Sequence, residues 1–336
     1  MIVVTGGTGL VGSHLLYELT SKGNRVKALK RNSSNIENVL RTFSYYSENA
    51  GELFKLVEWV DGDILDVVSL EDAFEGASKV YHTAAFVSLV PSKKKKILTN
   101  NIQGTANVVN ACISKKVGKL CHVSSVAALG HSADGLPTDE EMIWSPSKHR
   151  PYYSVSKFHS EMEVWRGIEE GLDAIIVNPS LILGPGNWDN GSSALFKTIY
   201  NGMKFYPPGI TGFVDARDVA KAMVQLMDSN ISGERFILNS EDWKFEKLFH
   251  HIANAFGKPI SLIEVKRWMG ALAWRAEWLR CLITGKEPQI TRETVASGFN
   301  KSGFSSEKIK QRLGFEFIPI EQSISETARI LLKQTI

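Results

Sequence analysis

Residues 5–12 read Thr5-Gly6-Gly7-Thr8-Gly9-Leu10-Val11-Gly12, directly behind the apolar run Ile2-Val3-Val4. Glycine loses more conformational freedom on folding than any other residue, so four of them in so short a stretch need a physical reason. Gly6, Gly9 and Gly12 are spaced by three, and His14-Leu15-Leu16-Tyr17-Glu18-Leu19 follows with its apolar residues at helical spacing. The pattern predicts a strand, a tight turn and a helix. Such a turn lets backbone N–H groups and a helix N-terminus approach a pyrophosphate, which a Cβ on any of the three glycines would obstruct. Taken alone, the stretch favours nucleotide binding, with an ordinary Gly-rich turn as the alternative.

With 336 residues the chain exceeds what one core usually holds, which predicts a nucleotide domain and a smaller partner domain. The 43% apolar content supplies a core for both. Thirty-nine basic and 36 acidic residues leave a net charge of +3, which gives no reason to expect nucleic acid or a membrane surface as partner. Cys112, Cys121 and Cys281 are odd in number and lack metal-ligand spacing. No metal site is therefore expected, and a reducing compartment is the simpler inference. No apolar run approaches the roughly 18 residues of a membrane span, and the first predicted strand begins at residue 2, leaving no room for a signal peptide. The expectation is a cytoplasmic protein acting on a small molecule, with a homodimer compatible with all of this.

Short runs suited to buried strands recur at Arg25–Leu29, Leu56–Trp59, Lys79–His82, Lys119–Val123 and Ala174–Val177, with helix-like segments between most of them. That alternation predicts an α/β fold with a doubly wound parallel sheet, to which Arg235–Leu238 returns as a late strand. Residues 1–180 and 211–240 are assigned to a dinucleotide-binding domain. Residues 181–210, rich in Gly and Pro at their start, and the mostly helical 241–336 form the substrate side. The charge run Lys93–Lys96 reads as a solvated loop or helix end, or as a site for an anionic group.

Chemistry concentrates in Tyr153-Ser154-Val155-Ser156-Lys157. On a helix Tyr153 and Lys157 share a face, whereas Tyr152 points elsewhere. A phenol with a pKa near 10 is a poor acid–base group at neutral pH, and a nearby ammonium favours phenolate. At about 4 Å and an effective dielectric near 20 the attraction is roughly 4 kcal/mol, so the expected pKa of Tyr153 is lowered into working range. Val123-Ser124-Ser125-Val126-Ala127-Ala128-Leu129-Gly130 follows a central strand, where the C-terminal strand ends of open parallel sheets meet ligands.

In order along the chain, the glycine turn, Asp61-Gly62-Asp63-Ile64, His82-Thr83-Ala84-Ala85, Asn101 with Gly104-Thr105, the Ser124-Ser125 stretch, Tyr153 to Lys157 and Asn178-Pro179-Ser180 resemble the extended short-chain dehydrogenase/reductase superfamily. The resemblance covers residues 1 to about 240. It implies a Rossmann fold with a smaller, mostly helical C-terminal domain. It implies that Gly6, Thr8, Gly9, Leu10, Val11 and Gly12 hold the cofactor's phosphates, that Asp63 and Ile64 border its adenine and that His82 to Ala85, with Ala84 and Ala85 binding the cofactor, form the wall beside its phosphates and ribose. Pro179 and Ser180 would line the nicotinamide. Asn101 would steady the backbone near the active site, Ser125 orient a carbonyl, Tyr153 exchange its proton, and Lys157 hold the nicotinamide ribose. Ser125, five residues before Gly130, fits that role better than Ser124.

NAD-binding members usually carry an acidic residue at the end of the second strand. Here the place reads Ala28-Leu29-Lys30-Arg31-Asn32-Ser33-Ser34, and Arg31 is placed to meet a 2′-phosphate, so the expected cofactor is NADP, with NAD the alternative. Nucleotide-sugar epimerases and dehydratases of this fold usually have Arg-Asp before an aromatic residue. This chain has Thr211-Gly212-Phe213-Val214-Asp215-Ala216-Arg217-Asp218-Val219-Ala220, which looks more like the dihydroflavonol reductase and aldehyde reductase branch. Plant dihydroflavonol reductases have Asn where Gly130 stands, which argues against a flavonoid. Trp274 and Trp278 share a helix face, readable as core or as the wall of an apolar pocket, and Glu287 to Arg292 is similar to sterol dehydrogenase relatives. A carbonyl reductase or alcohol dehydrogenase is favoured, with a nucleotide-sugar epimerase or dehydratase and a non-catalytic dinucleotide sensor as alternatives.

Overall fold

The structure, a computed structural model, describes all residues except 89, 131–135, 148, 149, 189, 190, 192, 259, 286, 287, 289, 335 and 336. The predicted reading of Glu287 and Gln289 lies outside the described residues. The first half of the chain runs β1 (Ile2–Thr5), α1 (Leu10–Ser21), β2 (Val26–Lys30), α2 (Glu37–Ser44), α3 (Ala50–Phe54), β3 (Val57–Asp61), α4 (Val67–Phe74), β4 (Lys79–His82), α5 (Lys94–Leu98), α6 (Gly104–Ser114), β5 (Lys119–Val123), α7 (Tyr152–Glu169) and β6 (Ala174–Pro179). Then follow β7 (Leu181–Leu183), α8 (Ser193–Tyr200), β8 (Phe205–Tyr206), β9 (Ile210–Asp215), α9 (Ala216–Asp228), β10 (Glu234–Leu238), β11 (Glu241–Lys244) and α10 (Phe245–Ala255). Last come β12 (Ile263–Glu264), α11 (Arg267–Thr284), α12 (Arg292–Gly298), α13 (Glu307–Leu313) and α14 (Ile320–Lys333).

Seven parallel strands form the central sheet in the order β10-β6-β5-β4-β1-β2-β3, the doubly wound Rossmann arrangement that the alternation of runs predicts. Strands buried on both faces send successive side chains to opposite layers. Val4, Tyr81, Cys121 and Ile175 pack with α1, α2 and α9, whereas Val3, Val80, Leu120 and Ile176 pack with α4, α6 and α7. A third core, around Phe196, Phe213, Trp243, Leu248, Ile252 and Ile324, joins α8, α10 and α14 to a small sheet of β11, β9 and β7.

Residues 211–215, grouped by the sequence with the nucleotide-binding part, lie in this second sheet: β9 pairs with β7 and β11, not with the seven-stranded sheet. The chain rejoins the large sheet at α9, whose N-terminus is capped by the Asp215 carboxylate. Side chains at Val219, Ala222, Met223 and Leu226 then fill the layer beside α1. The predicted core role of the Trp274 face is corrected as well. In α11 only Gly270 is buried: Trp274, one turn on and on the same side, is half-buried, whereas Trp278, a further turn round, is exposed, because the close packing against α12 is confined to the helix surface around Gly270.

Candidate active site

The glycine turn is held by its own geometry. Gly6 has φ +74°, and a Cβ there would stand 2.5 Å from the Ala84 nitrogen. A Cβ on Gly12 would stand 2.2 Å from the Gly6 carbonyl oxygen, so the helix can start this close to β1 only without one. Gly9 differs: its Cβ would meet protein only at 3.4 Å. Its freedom is thus not needed by the surrounding chain. Gly9 caps α1 without a side chain, leaving the first N–H groups of Leu10 and Val11 at the helix's positive end.

This turn forms one wall of a cleft of about 220 Å³ at the C-terminal ends of the strands. Gly6, Thr8, Gly9, Arg31, Asp63, Ile64, Ala84 and Ala85 all line it, as do Ser34, Phe86 and Asn100, for which the sequence reading had no role. Arg31 is exposed at the end of β2, and its N–H donates to the Ser34 hydroxyl in a tight turn. The neighbouring carboxylate, Asp61, is taken by Lys30. The Asp63 carboxylate accepts from the Leu65 N–H at 2.9 Å and so braces its own turn, and Ile64 packs against Gly104. The cradle and the helix end fit a dinucleotide, with the Arg31 cation at the far rim of the cleft.

The catalytic candidates come from three elements. Asn101 is buried in a π-helical turn between α5 and α6, a local distortion that recurs at functional sites. Its side chain accepts from the Phe86 N–H at 2.7 Å and donates to the Phe86 carbonyl and to the Ser156 hydroxyl, both at 3.0 Å. It clamps the loop after β4 to α7. Ser125 and Ser124 are separated by their partners. The Ser124 hydroxyl donates to the Glu161 carboxylate at 2.6 Å, whereas the Ser125 hydroxyl accepts from the Ala127 N–H at 3.2 Å and lies beside the Tyr153 phenol. Tyr152 turns away and lies under the Lys94 ammonium, 4.5 Å from its ring centre.

The expected lowering of the Tyr153 pKa is overturned. Burial raises the phenol above its ordinary value because phenolate loses its solvation, and the Ser125 hydrogen bond offsets this only in part. Lys157 is 3% exposed and donates to the Val123 carbonyl at 2.9 Å. Burial lowers its ammonium to about 8, against the pull of Glu161. The rings of His82 and His122, from β4 and β5, lie 5.1 Å apart with their planes tilted by 34°. Burial, reinforced by the Lys157 charge, lowers His82 to about 3, so neither ring adds a second cation at neutral pH.

Glu161, missed by the sequence reading, organises the site from below. It accepts from Ser124, from Asn178 at 2.7 Å and from the Arg235 guanidinium at 2.9 Å. Asn178 also donates to the Ser125 carbonyl at 3.1 Å. One carboxylate thereby fixes the ends of β5, β6 and β10. The available signal was its place four residues after Lys157 on the Tyr153 face of α7. Pro179 closes β6, and the Ser180 hydroxyl donates to the Leu238 carbonyl at 3.3 Å, tying β6 to β10.

Residues 2–238 match the model of the NAD dependent epimerase/dehydratase family. A protein of Synechocystis sp., provisionally named dihydroflavonol 4-reductase, is 29% identical, with 96% of this chain and 92% of that protein covered. Cinnamoyl-CoA reductase 1 of Petunia hybrida is 26% identical over 98% of this chain and 92% of its own. The crystal structure of gox2253 superposes with a TM-score of 0.83 at 31% identity, covering 99% of this chain and 98% of that one.

Proposed function

The chain belongs to the NAD dependent epimerase/dehydratase family, and from that premise we propose that it is an NADPH-linked reductase of a ketone or aldehyde, able to run as an alcohol dehydrogenase in reverse. The observation that carries this reading is the Ser125–Tyr153 hydroxyl pair at the strand ends, with Lys157 one turn further along the same helix. When bound, the nicotinamide cofactor supplies or accepts a hydride. Gly6, Thr8, Gly9, Leu10, Val11 and Gly12 would hold its pyrophosphate, Arg31 its 2′-phosphate, Asp63, Ile64, Ala84 and Ala85 its adenosine side, and Lys157, Pro179 and Ser180 its nicotinamide side.

A phenol whose pKa is raised by burial stays protonated at neutral pH and suits proton donation. Tyr153 gives its proton to the carbonyl oxygen as negative charge grows there, while the Ser125 hydroxyl donates a second hydrogen bond to the same atom. The Lys157 ammonium favours the phenolate left behind. Asn101 acts on this site through Phe86 and Ser156 rather than by touching the reacting atoms.

Two packing details support a substrate other than a nucleotide sugar or a flavonoid. At Gly212 a Cβ would stand 2.1 Å from the Asn239 side-chain oxygen, so the acidic member of the sugar enzymes' Arg-Asp pair has no room, and Thr211 stands at the basic one. At Gly130 a Cβ would stand 2.3 Å from the Ile143 carbonyl oxygen, which excludes the plant enzymes' Asn contact. Residues 181–210 and 241–336 then supply the substrate side, and the free thiols of Cys112, Cys121 and Cys281 suit a cytoplasmic setting.

The test is a panel of apolar aldehydes and ketones with NADPH. Cofactor should be consumed stoichiometrically, with NADPH bound more tightly than NADH and Arg31→Asp reversing that order. Epimerisation of a UDP- or GDP-sugar without net cofactor turnover, and no carbonyl reduction, would replace this reading.

A further inference from the structure

Helix α11 is placed the wrong way round for a buried helix. Trp268, Leu272, Trp278, Leu279, Leu282 and Ile283 are between 54 and 77% exposed. With 3.6 residues per turn, Trp268, Leu272, Leu279 and Ile283 follow at steps of four, seven and four and form a single stripe, flanked by Leu282 and Trp278. The stripe lies on the side away from Gly270, where the helix approaches Val295 and Phe299 of the α12 region so closely that a Cβ would stand 2.7 Å from Val295. Phe205 and Ile263, paired in the ribbon of β8 and β12 that leads into α11, are also about half exposed. An apolar face of this length exceeds the scattered exposed side chains of an ordinary surface.

Charge decides what fits it. Residues 258–301 contain eight Lys and Arg against four Asp and Glu, a surplus of four, so within a net charge of +3 the rest of the chain is slightly negative. Lys266 and Arg267 stand at the start of the helix, and Arg275 emerges beside Trp268 with its guanidinium over the Trp274 ring, 4.5 Å from the ring centre. The single acidic residue of α11, Glu277, already holds Arg280. A second copy of the chain would set one cationic segment against another. An anionic bilayer offers the opposite: negative headgroups for Arg and Lys, and an acyl boundary for Trp and Leu. Among the described residues no helix is long and apolar enough to cross a membrane, so the contact is one along the surface.

We propose that α11 is a membrane-surface helix, which lays its Trp268–Ile283 stripe into the headgroup boundary of an anionic bilayer. The proposal stands independently of the reaction. The net charge of the whole chain concealed it, since the surplus of one segment is averaged away.

The full chain is sedimented with vesicles of equimolar phosphatidylglycerol and phosphatidylcholine, and in parallel with vesicles of phosphatidylcholine alone. The expected result is binding to the anionic vesicles that weakens as salt is added. Leu272→Glu/Leu279→Glu should bind about tenfold more weakly or less, with unchanged circular dichroism and thermal midpoint, since both side chains are exposed. Arg267→Glu/Arg275→Glu should lose the preference for anionic lipid. No sedimentation with the anionic vesicles overturns the proposal, and so does equal binding to the neutral ones. A wild-type dimer that ignores vesicles and is broken by the Leu272→Glu/Leu279→Glu change would also overturn it, assigning the face to a second copy.

Discussion

Tyr153 and Lys157 carry different burdens, and their variants should separate accordingly. Tyr153→Phe removes the proton and keeps the ring, so kcat should fall by about two to four orders of magnitude with cofactor affinity nearly unchanged. Tyr152→Phe, on the other side of the helix, should be close to silent; equal damage from the two would refute the assignment. Lys157→Met should impair turnover and cofactor binding together. The Lys157 ammonium, lowered to about 8 by burial, loses its charge as pH rises through that value, so reductase kcat should descend on the alkaline side of about pH 8. Glu161 opposes that lowering; Glu161→Gln should therefore move the descending limb to lower pH, which a merely structural carboxylate would leave in place. The sequence pointed to Tyr153, Lys157 and Ser125 as candidates through the ordered set of motifs in which they stand, not through any one pair of them. It hid Glu161, whose partners Ser124, Asn178 and Arg235 lie up to 74 positions away and meet only in the folded sheet. The direction of the Tyr153 shift was hidden for the same reason: four-residue spacing brings a lysine near, while burial by the rest of the fold sets the larger effect.

At the scale of elements, the start of α1 separates glycines that the fold needs from one that a ligand needs. Gly12→Ala drives a methyl into the Gly6 carbonyl and should lower the thermal midpoint by several degrees, since overpacking costs about 1–3 kcal/mol. Gly9→Ala meets only ordinary contact, so the midpoint should move little while dinucleotide affinity drops. Loss of stability in Gly9→Ala, measured by thermal unfolding without cofactor, would show that the turn needs all three glycines for its own sake. Strands were readable as elements because a sheet buried on both faces demands short continuous apolar runs; β2 and β3 end one or two residues later than expected, at Lys30 and Asp61, whose polar side chains pair with each other at the sheet rim. The outward apolar face of α11 defeated the same logic. Periodicity records that a helix has an apolar side and says nothing about whether protein covers it.

For the whole molecule, the junction between the large sheet and the second core rests on Asp215, which is fully buried. It accepts hydrogen bonds from Arg217 and Ser323, and Arg217 reaches on to Glu326 of α14. Burial works to raise the Asp215 carboxyl, but Arg217 and Ser323 outweigh it and hold it below its ordinary value. Such a depressed carboxylate stabilises the fold above its unfolded pKa and ceases to do so as pH falls through the folded one. Arg217→Met should cost about 3 kcal/mol at neutral pH by leaving the buried charge uncompensated. Its deficit should shrink on acidification towards pH 5, because the freed carboxyl then takes up a proton more readily in the folded state; a denaturant midpoint difference that stays constant with pH would contradict this.

The dependence of Glu161 on Arg235 also sets an order of events during synthesis. Ser124, Glu161 and Asn178 leave the ribosome well before β10, so a nascent chain ending near residue 230 holds the whole Ser125–Tyr153–Lys157 set but no cation for the carboxylate beneath it and no strand along the outer edge of β6. An acidic group cannot be buried early at little cost without its counter-ion. The groups that meet around Glu161 are therefore supplied by distant parts of the chain: Ser124 and Asn178 come with β5 and β6, and the cation that offsets the carboxylate comes only with β10.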